Sequence, residues 1–484
     1  MKSYLKHYIG GQWVESQGGS RHIVVNPATE EPTSEVVLGT AADVDKAVKA
    51  ARTAFETFSE TSREERLGLL GRIVAEYQKR IPDIARAISE EMGCPISIAQ
   101  TAQSGSGLGH LGSTIEALRN FAFEESTGKN KVVREPIGVV ALITPWNWPM
   151  NQIVAKVAPA IAAGNTVILK PSEQTPGSAA IFAEVLDAAG VPAGVFNLVQ
   201  GDGPGVGTAL AQHPDIDMIS FTGSTRAGIM VAKNAADTVK RVHQELGGKS
   251  PFVILEGTPL ELAVPGGAGG ILLNSGQSCV APTRMLVHIS QHDAALEMLK
   301  GIFGGKKVGD PAAEGDHIGP VVNKAQYDKI QGLIAKGLEE GATLVTGGLG
   351  RPAGLDTGYY VQPTVFGNVS NDMTIAREEI FGPVLVVIPY QTDEEAIRIA
   401  NDTPYGLGAY IAGDPARAKQ FVRRIRAGSV FVNSGGLDFN SPFGGYKQSG
   451  NGREFGKFGL EEFMELKSVI GDLPADAPPA EAAG

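Results

Sequence analysis

The chain has 484 residues, a net charge of −11 and 62 glycines, so glycine is nearly twice as frequent as the usual ~7%. With 42% hydrophobic and 20% charged residues, this excludes a coiled coil or a disordered chain and predicts a glycine-turned α/β protein of roughly two to four domains. No basic block offsets the acidic balance, so nucleic acid and anionic membranes are poor partners; two cysteines, Cys94 and Cys279, rule out a disulfide framework and a cysteine-rich metal site.

From the N-terminus, residues 1–11 contain no apolar run of the length a secretory signal needs. Thr40 with Asp43, and Ser62 with Glu65, fit capping boxes. Each precedes an apolar stripe at helical spacing, first Val44, Ala47, Val48, Ala51, Phe55 and Phe58, then Leu67, Leu70, Ile73, Val74 and Tyr77. The first third therefore reads as helical, with faces that cover a core. From Val132 the texture changes. Strand-like runs at Gly138–Ile143, Thr166–Leu169, Val195–Val199, Met218–Phe221 and Val253–Leu255 alternate with helical patterns at Ile153–Ala163 and Ala179–Ala189. This alternation predicts a parallel, doubly wound sheet. A second α/β series runs from Met285–His288 to about Val432. The most apolar stretch, 153–169, is interrupted by Lys156, Pro159, Gly164 and Asn165 and is too short to span a bilayer. A soluble, cytoplasmic protein in a reducing compartment is expected. The tail 474–484, rich in proline and alanine, is expected to be disordered.

Three residues draw attention as chemistry. Cys279 follows a glycine-rich approach (Gly266, Gly267, Gly269, Gly270) in the run Gly276-Gln-Ser-Cys. A lone cysteine is commonly a small buried hydrophobe, the reading kept for Cys94 on a helical segment before Pro95. Glu245 ends a strand-like element before a Gly-Gly turn, which presents its carboxylate where a ligand can approach the backbone; a helix-terminal ion pair is the alternative. Asn147, after the strand Gly138–Ile143, sits where open α/β sheets bind ligands and offers an amide donor for an oxyanion. The eight histidines fall in no metal-ligand spacing, so no metal is expected. His243 lies two residues before Glu245, so strand alternation points it to the same side, with no role given to it.

These segments, in this order, resemble the aldehyde dehydrogenase superfamily, hydrolytic branch. The resemblance rests on PWN (145–147), KPSEQTP (170–176), FTGST (221–225), ELGGKSP (245–251), GQSC (276–279), EEIFGPV (378–384) and PFGGYKQSG (442–450). It implies that Cys279 attacks an aldehyde as thiolate, that Asn147 and the Cys279 backbone N–H hold the oxyanion, and that hydride leaves to NAD. Glu245 then activates the water that hydrolyses the thioester, with Lys156 as a proton relay or, equally, a helix lysine that snorkels. Cofactor contacts are expected from Thr144, Pro145, Trp146, Lys170, Ser172, Glu173, Gly203, Gly207, Phe221, Thr222, Gly223, Ser224, Leu246, Gly247, Glu379 and Phe381. Gly201, Gly203, Gly205 and Gly207 do not meet the G-x-G-x-x-G fingerprint and read alone as a flexible turn, so the pyrophosphate is assigned to Gly223-Ser224, where Ser224 is also a plausible N-cap. Glu173 favours NAD, with NADP still possible. Trp148, Met150, Asn151, Ala155, Ser278, Val280 and Phe443 are the expected substrate wall; Ala155 stands where some members carry an aromatic, which favours a bulky or long aldehyde.

The implied fold is a Rossmann-like NAD-binding domain (1–115 and 138–246), an α/β catalytic domain (247–459) and a small β oligomerisation element (116–137 and 460–473). The strand Lys131–Glu135 is expected to pair with a partner subunit in a homodimer or a homotetramer built as a dimer of dimers. The competing readings are a CoA-acylating semialdehyde dehydrogenase, against which Glu245 argues, a cysteine hydrolase, for which no histidine partner is recognisable, and a catalytically silent protein of the same fold.

Overall fold

Short apolar, β-branched runs make the strands around which the protein is built; the computed structural model describes residues 1–433 and 435–471. The first sheet has eight strands, in the spatial order Gly450–Asn451, Arg241–Glu245, Met218–Thr222, Val139–Ile143, Thr166–Lys170, Phe196–Leu198, Lys6–Ile9 and Gln12–Glu15. From Arg241–Glu245 to Phe196–Leu198 the strands run parallel. The central three are buried along their whole length, as strands covered on both faces are. From Val139–Ile143 the chain moves outward to Thr166–Lys170 and Phe196–Leu198, then returns to the opposite side for Met218–Thr222 and Arg241–Glu245. Strand order thus reverses between Val139–Ile143 and Met218–Thr222, and the crevice past their carboxyl ends is where open α/β sheets hold ligands. Residues 144–147 follow the first of those ends, and Gly223 and Ser224 the second.

A second sheet of seven strands, in the order Thr343–Thr346, Thr364–Gly367, Val384–Tyr390, Arg284–His288, Pro251–Ile254, Gly408–Ala412 and Ser429–Val432, is parallel except for its first strand. The Gly-Gly turn after Glu245 carries the chain from the first sheet to the second.

Both predicted capping boxes open helices. The Asp43 carboxylate accepts the Thr40 N–H at 2.9 Å at the start of Ala41–Phe58, and that of Glu65 accepts the Ser62 N–H at 2.7 Å before Arg63–Met92. The latter helix ends at Gly93 (φ 80°), so Cys94 lies just past a left-handed cap rather than on a helix, and it is buried. The helix Pro149–Ala163 starts with proline at its first turn and is apolar nearly all round, which places it inside the molecule.

Two expectations need correction. The N-terminal region is not helical from its start: Lys2–Tyr4, Pro32–Leu38 and Ser20–Val25 form a separate three-stranded sheet, and Lys6–Ile9 and Gln12–Glu15 extend the first sheet. The segment Lys131–Glu135 lies in the strand Asn130–Pro136, which already pairs antiparallel with Glu124–Thr127 on one side and Met464–Val469 on the other. Both of its edges are taken within the chain, so it has no ladder left to offer a partner. The tail 474–484 and the last two residues of the 460–473 element lie outside the described residues. Among the described residues no helix is long and apolar enough to cross a membrane, and no group of His, Cys, Asp and Glu could hold a metal ion.

Candidate active site

Cys279 is delivered by a strained turn. Asn274 (φ 53°), Ser275 (φ 54°) and Gly276 (φ 75°) are consecutive left-handed residues just before it, a conformation that persists only where surrounding contacts enforce it. A Cβ on Gly276 would lie 2.0 Å from the Gly382 carbonyl oxygen, so glycine is required there for space as well as for φ. The Asn274 side chain donates to the Asn147 carbonyl at 2.9 Å, and Asn147 Nδ2 donates to the Gln277 carbonyl at 3.1 Å. The turn and the end of the first sheet are thereby tied together beside the thiol. Gly248 lets the ELGG turn close on the same loop, since a Cβ there would meet the Cys279 carbonyl oxygen at 2.2 Å.

On one side of Cys279 is a cavity of about 180 Å³ at the switch point of the first sheet. Pro145, Trp146, Asn147, Thr222, Gly223, Ser224, Leu246, Gly247, Cys279, Glu379 and Phe381 line it. Trp146 and Phe381 meet edge to face, ring centres 5.5 Å apart, and Phe381 is held at φ 63°. Glu379 Oε1 accepts the Gly248 N–H at 2.9 Å, while burial pushes its carboxyl above the usual range. Ser224 caps the helix Thr225–Ala235, its Oγ accepting the Ala227 N–H at 3.3 Å. Thr144 Oγ1 and Thr222 Oγ1 are buried polar atoms with no hydrogen-bond partner among the described residues.

The remaining nucleotide candidates flank this cavity rather than line it. Lys170 Nζ donates to the Pro171 and Gly201 carbonyls at 2.7 Å each and stands 3.7 Å from Glu173. Ser172 is buried and its Oγ accepts the Gln174 N–H. Phe221 is buried, its ring against Gly223. Gly203–Gly207 is a helical turn capped by Asp202, whose Oδ1 accepts the Gly205 N–H at 2.7 Å; this corrects the expectation of a flexible turn.

Cys279 also packs with the cluster of Ala155, Leu407, Val280, Phe439, Phe443 and Phe455. Phe443 and Phe455 stack with centroids 4.8 Å apart and also line a further cavity of about 270 Å³ with Val430, Phe431 and Leu437. Trp148 Nε1 donates to Ser278 Oγ at 2.7 Å. Asn151 Oδ1 bonds His110 Nε2 at 2.8 Å, and that imidazole packs on Phe439 and Phe455. Met150 is not with this group: it is fully buried in the core of the first sheet.

Glu245 ends its strand buried, with neither carboxylate oxygen hydrogen-bonded among the described residues. Burial, reinforced by the Glu454 carboxylate, raises its carboxyl well above the usual range. Burial also raises the Cys279 thiol, with the charges of Glu379 and Glu245 adding to the effect. The two side chains singled out from distant parts of the sequence therefore share one electrostatic environment. Lys156 is fully buried and bonds Glu454, so it does not snorkel.

Sequence reasoning missed Gln152, Gln326 and Lys329 of the first cavity, the Lys156 partner Glu454, and the rings of Phe439 and Phe455. Gln326 Nε2 donates to the Phe381 carbonyl and Lys329 Nζ to that of Glu379, which fixes the loop that carries both candidates. A roomier cleft of about 750 Å³, over the ends of Pro251–Ile254 and Gly408–Ala412, is lined by Gly266, Gly267 and Gly270 of the glycine-rich approach but by none of the candidate site residues.

The sequence profile of the aldehyde dehydrogenase family matches residues 13–469. The chain belongs to that family. The dehydrogenase is 53% identical over 473 residues to a 3-succinoylsemialdehyde-pyridine dehydrogenase from Pseudomonas sp., covering 97% of this chain and 99% of that one. Among solved structures it resembles a mutant of Pseudomonas syringae aldehyde dehydrogenase C in complex with NAD+ and octanal, with TM-score 0.96, 51% identity and 98% of each chain covered. A Mycobacterium tuberculosis aldehyde dehydrogenase complexed with NAD+ has TM-score 0.94 and 41% identity over 99% of each chain. The dehydrogenase thus has the mixed α/β architecture of these enzymes and is an oxidoreductase of the aldehyde group.

Proposed function

We propose that the protein oxidises a bulky or long apolar aldehyde to its acid, using NAD and a thioester on Cys279 that Glu245 helps to hydrolyse. The observation that carries this reading is the position of the thiol, lining the sheet-end cavity and packed against an aromatic cluster, in the field of a buried carboxylate with no hydrogen-bond partner among the described residues. The raised thiol is protonated at rest, so attack needs a base, and Glu245 is the group built to accept that proton. The sulfur adds to the aldehyde carbon. One Asn147 amide hydrogen is committed to Gln277; the other, with the Cys279 N–H, donates to the oxyanion. Bound NAD would supply the hydride acceptor, and loss of hydride from the Cys279 adduct leaves a thioester. Having released the thiol proton to solvent, Glu245 then takes a proton from the attacking water; collapse of the second tetrahedral adduct releases the acid and the Cys279 thiolate, to which Glu245 returns that proton.

The residues present suit the dinucleotide. Thr144 and Thr222 offer orphaned hydroxyls, and the helix start at Ser224 offers N–H groups for pyrophosphate. Lys170, Ser172 and Glu173 suit the adenosine ribose, Glu379 the nicotinamide ribose, and Trp146 and Phe381 the ring. Glu173 favours NAD over NADP, in keeping with the NAD+ complexes of the named relatives. The division into 1–115 with 138–246 and 247–459 is supported by the two sheets, apart from Gly450–Asn451, which adds to the first. The three-stranded element serves a dimer or a dimer of dimers, supported by exposed Leu466 and Ile470 on and beside its outer strand. The location is cytoplasmic, in keeping with two unpaired cysteines.

A screen of aliphatic, aromatic and terpenoid aldehydes with NAD and with NADP, followed by nicotinamide absorbance, tests the reading. Turnover with large apolar aldehydes and a preference for NAD is expected; no aldehyde-dependent reduction of either cofactor contradicts it. Ala155→Trp fills the wall beside Cys279 and should lower kcat/KM for large aldehydes by about 10- to 100-fold more than for acetaldehyde. Equal loss for both would remove the size argument. Light scattering should give two or four times the mass of one chain; a monomer would contradict the assembly.

A further inference from the structure

His243 is a buried imidazole that the reaction as described does not use. It sits two positions before Glu245 on the strand Arg241–Glu245, so both side chains leave the same face. Its Nε2 is 3.9 Å from Glu245 Oε1, and among the described residues that nitrogen and both Glu245 oxygens have no hydrogen-bond partner. Its other nitrogen is engaged: Nδ1 and Ser220 Oγ on the neighbouring strand Met218–Thr222 are 3.0 Å apart. Gly452 leaves room for the ring, since a Cβ there would lie 2.1 Å from His243 Cδ2.

Resting on the reading of Glu245 as the base for thioester hydrolysis, we infer that His243 is a positioning residue: Ser220 O–H donates to Nδ1, which fixes Nε2–H as a donor aimed at the Glu245 carboxylate. When the carboxyl ionises, a small rotation turns the 3.9 Å separation into a charge-assisted hydrogen bond. The imidazole stays neutral throughout, because burial and the nearby charges of Lys156 and Arg453 oppose its protonation. It takes no proton from Glu245 and acts by stabilising the ionised base. The other charged groups that act on Glu245 are Glu454 and Glu462, which raise its carboxyl, and Lys156 and Arg453, which lower it. Lys156 Nζ is bonded to Glu454, and the Arg453 guanidinium donates to the Gly445 and Gly452 carbonyls. His243 Nε2 has no acceptor among the described residues.

The test is the pH profile of p-nitrophenyl acetate hydrolysis, which exercises Cys279 acylation and deacylation without cofactor, in wild type, H243L and H243Q. A donor lost from a buried carboxylate raises its pKa, so in H243L the acid limb of steady-state hydrolysis should move to higher pH by about one unit. The p-nitrophenol burst amplitude at high pH should be unchanged. H243Q keeps an N–H near the same place and should recover at least half of the shift. Superimposable wild-type and H243L limbs would overturn the proposal, as would a loss in H243L that is uniform across pH. Should H243L not fold, S220A carries the same test: a smaller shift in the same direction is expected, and none overturns the proposal. A limb that persists unchanged in E245Q would instead show that Glu245 is not the base, a failure of the underlying reading rather than of the imidazole alone.

Discussion

Cys279→Ser is expected to lower aldehyde-dependent NADH formation by at least about 10⁴-fold while leaving NAD affinity near that of the wild type. The thiol is the only nucleophile proposed to form the thioester, and an alcohol, far less acidic than a thiol, has no adequate base in a site that already pushes an acidic group upward. NAD affinity should persist because the cavity proposed for the cofactor is lined mainly by residues 145–147, 222–224, 246–247, 379 and 381, with Cys279 one lining residue among many. Stopped-flow absorbance for turnover and fluorescence titration for NAD binding separate the two quantities. Retained turnover would exclude the thiol mechanism; lost NAD binding would mean that the substitution had disturbed the loop.

Glu245→Gln should show a burst of NADH close to one per active site, followed by turnover slowed by about 10²- to 10⁴-fold, the usual contribution of a general base. The amide keeps the size of the side chain but cannot take a proton from water, so the thioester forms and accumulates. A slower burst is expected if Glu245 also deprotonates the thiol. An unchanged steady state would contradict the role of Glu245, and rescue of turnover by added CoA would favour the acylating alternative. In the wild type, burial has lifted the Glu245 carboxyl well above the ordinary carboxylate range. Hydrolysis of the thioester therefore falls as pH drops through that raised value, because the base is then protonated. The same protonation at low pH removes the cost of a buried, unpaired charge, so the loss is of activity rather than of fold.

Much of the site was legible because its chemistry is carried by glycines and by strand ends. Gly248 must let the Cys279 carbonyl approach, and Gly276 must accept both a left-handed φ and the Gly382 carbonyl, so ELGG and GQSC are short local runs with a physical reason. The strands Val139–Ile143 and Met218–Thr222 announce themselves because they are buried on both faces. Residues supplied singly were not legible. Glu454 reaches Lys156 across 298 positions, and Gln326 and Lys329 face the cavity from a helix whose pattern reads as ordinary amphipathic surface. The N-terminal strands escaped because Gln12–Glu15 and Ser20–Val25 alternate burial too weakly to leave a period of two. Lys131–Glu135 was expected at an edge because a strand sequence does not say how many neighbours it has; Met464–Val469 supplies the second from the far end of the chain.

Intact-protein and peptide mass spectrometry of Glu245→Gln, quenched in acid after mixing with NAD and an apolar aldehyde, tests the central claim most directly. A mass increase equal to the acyl group, confined to the peptide that contains Cys279 and absent when NAD is omitted, is the predicted result. An acyl group on any other residue, or no adduct while NADH accumulates, would contradict it.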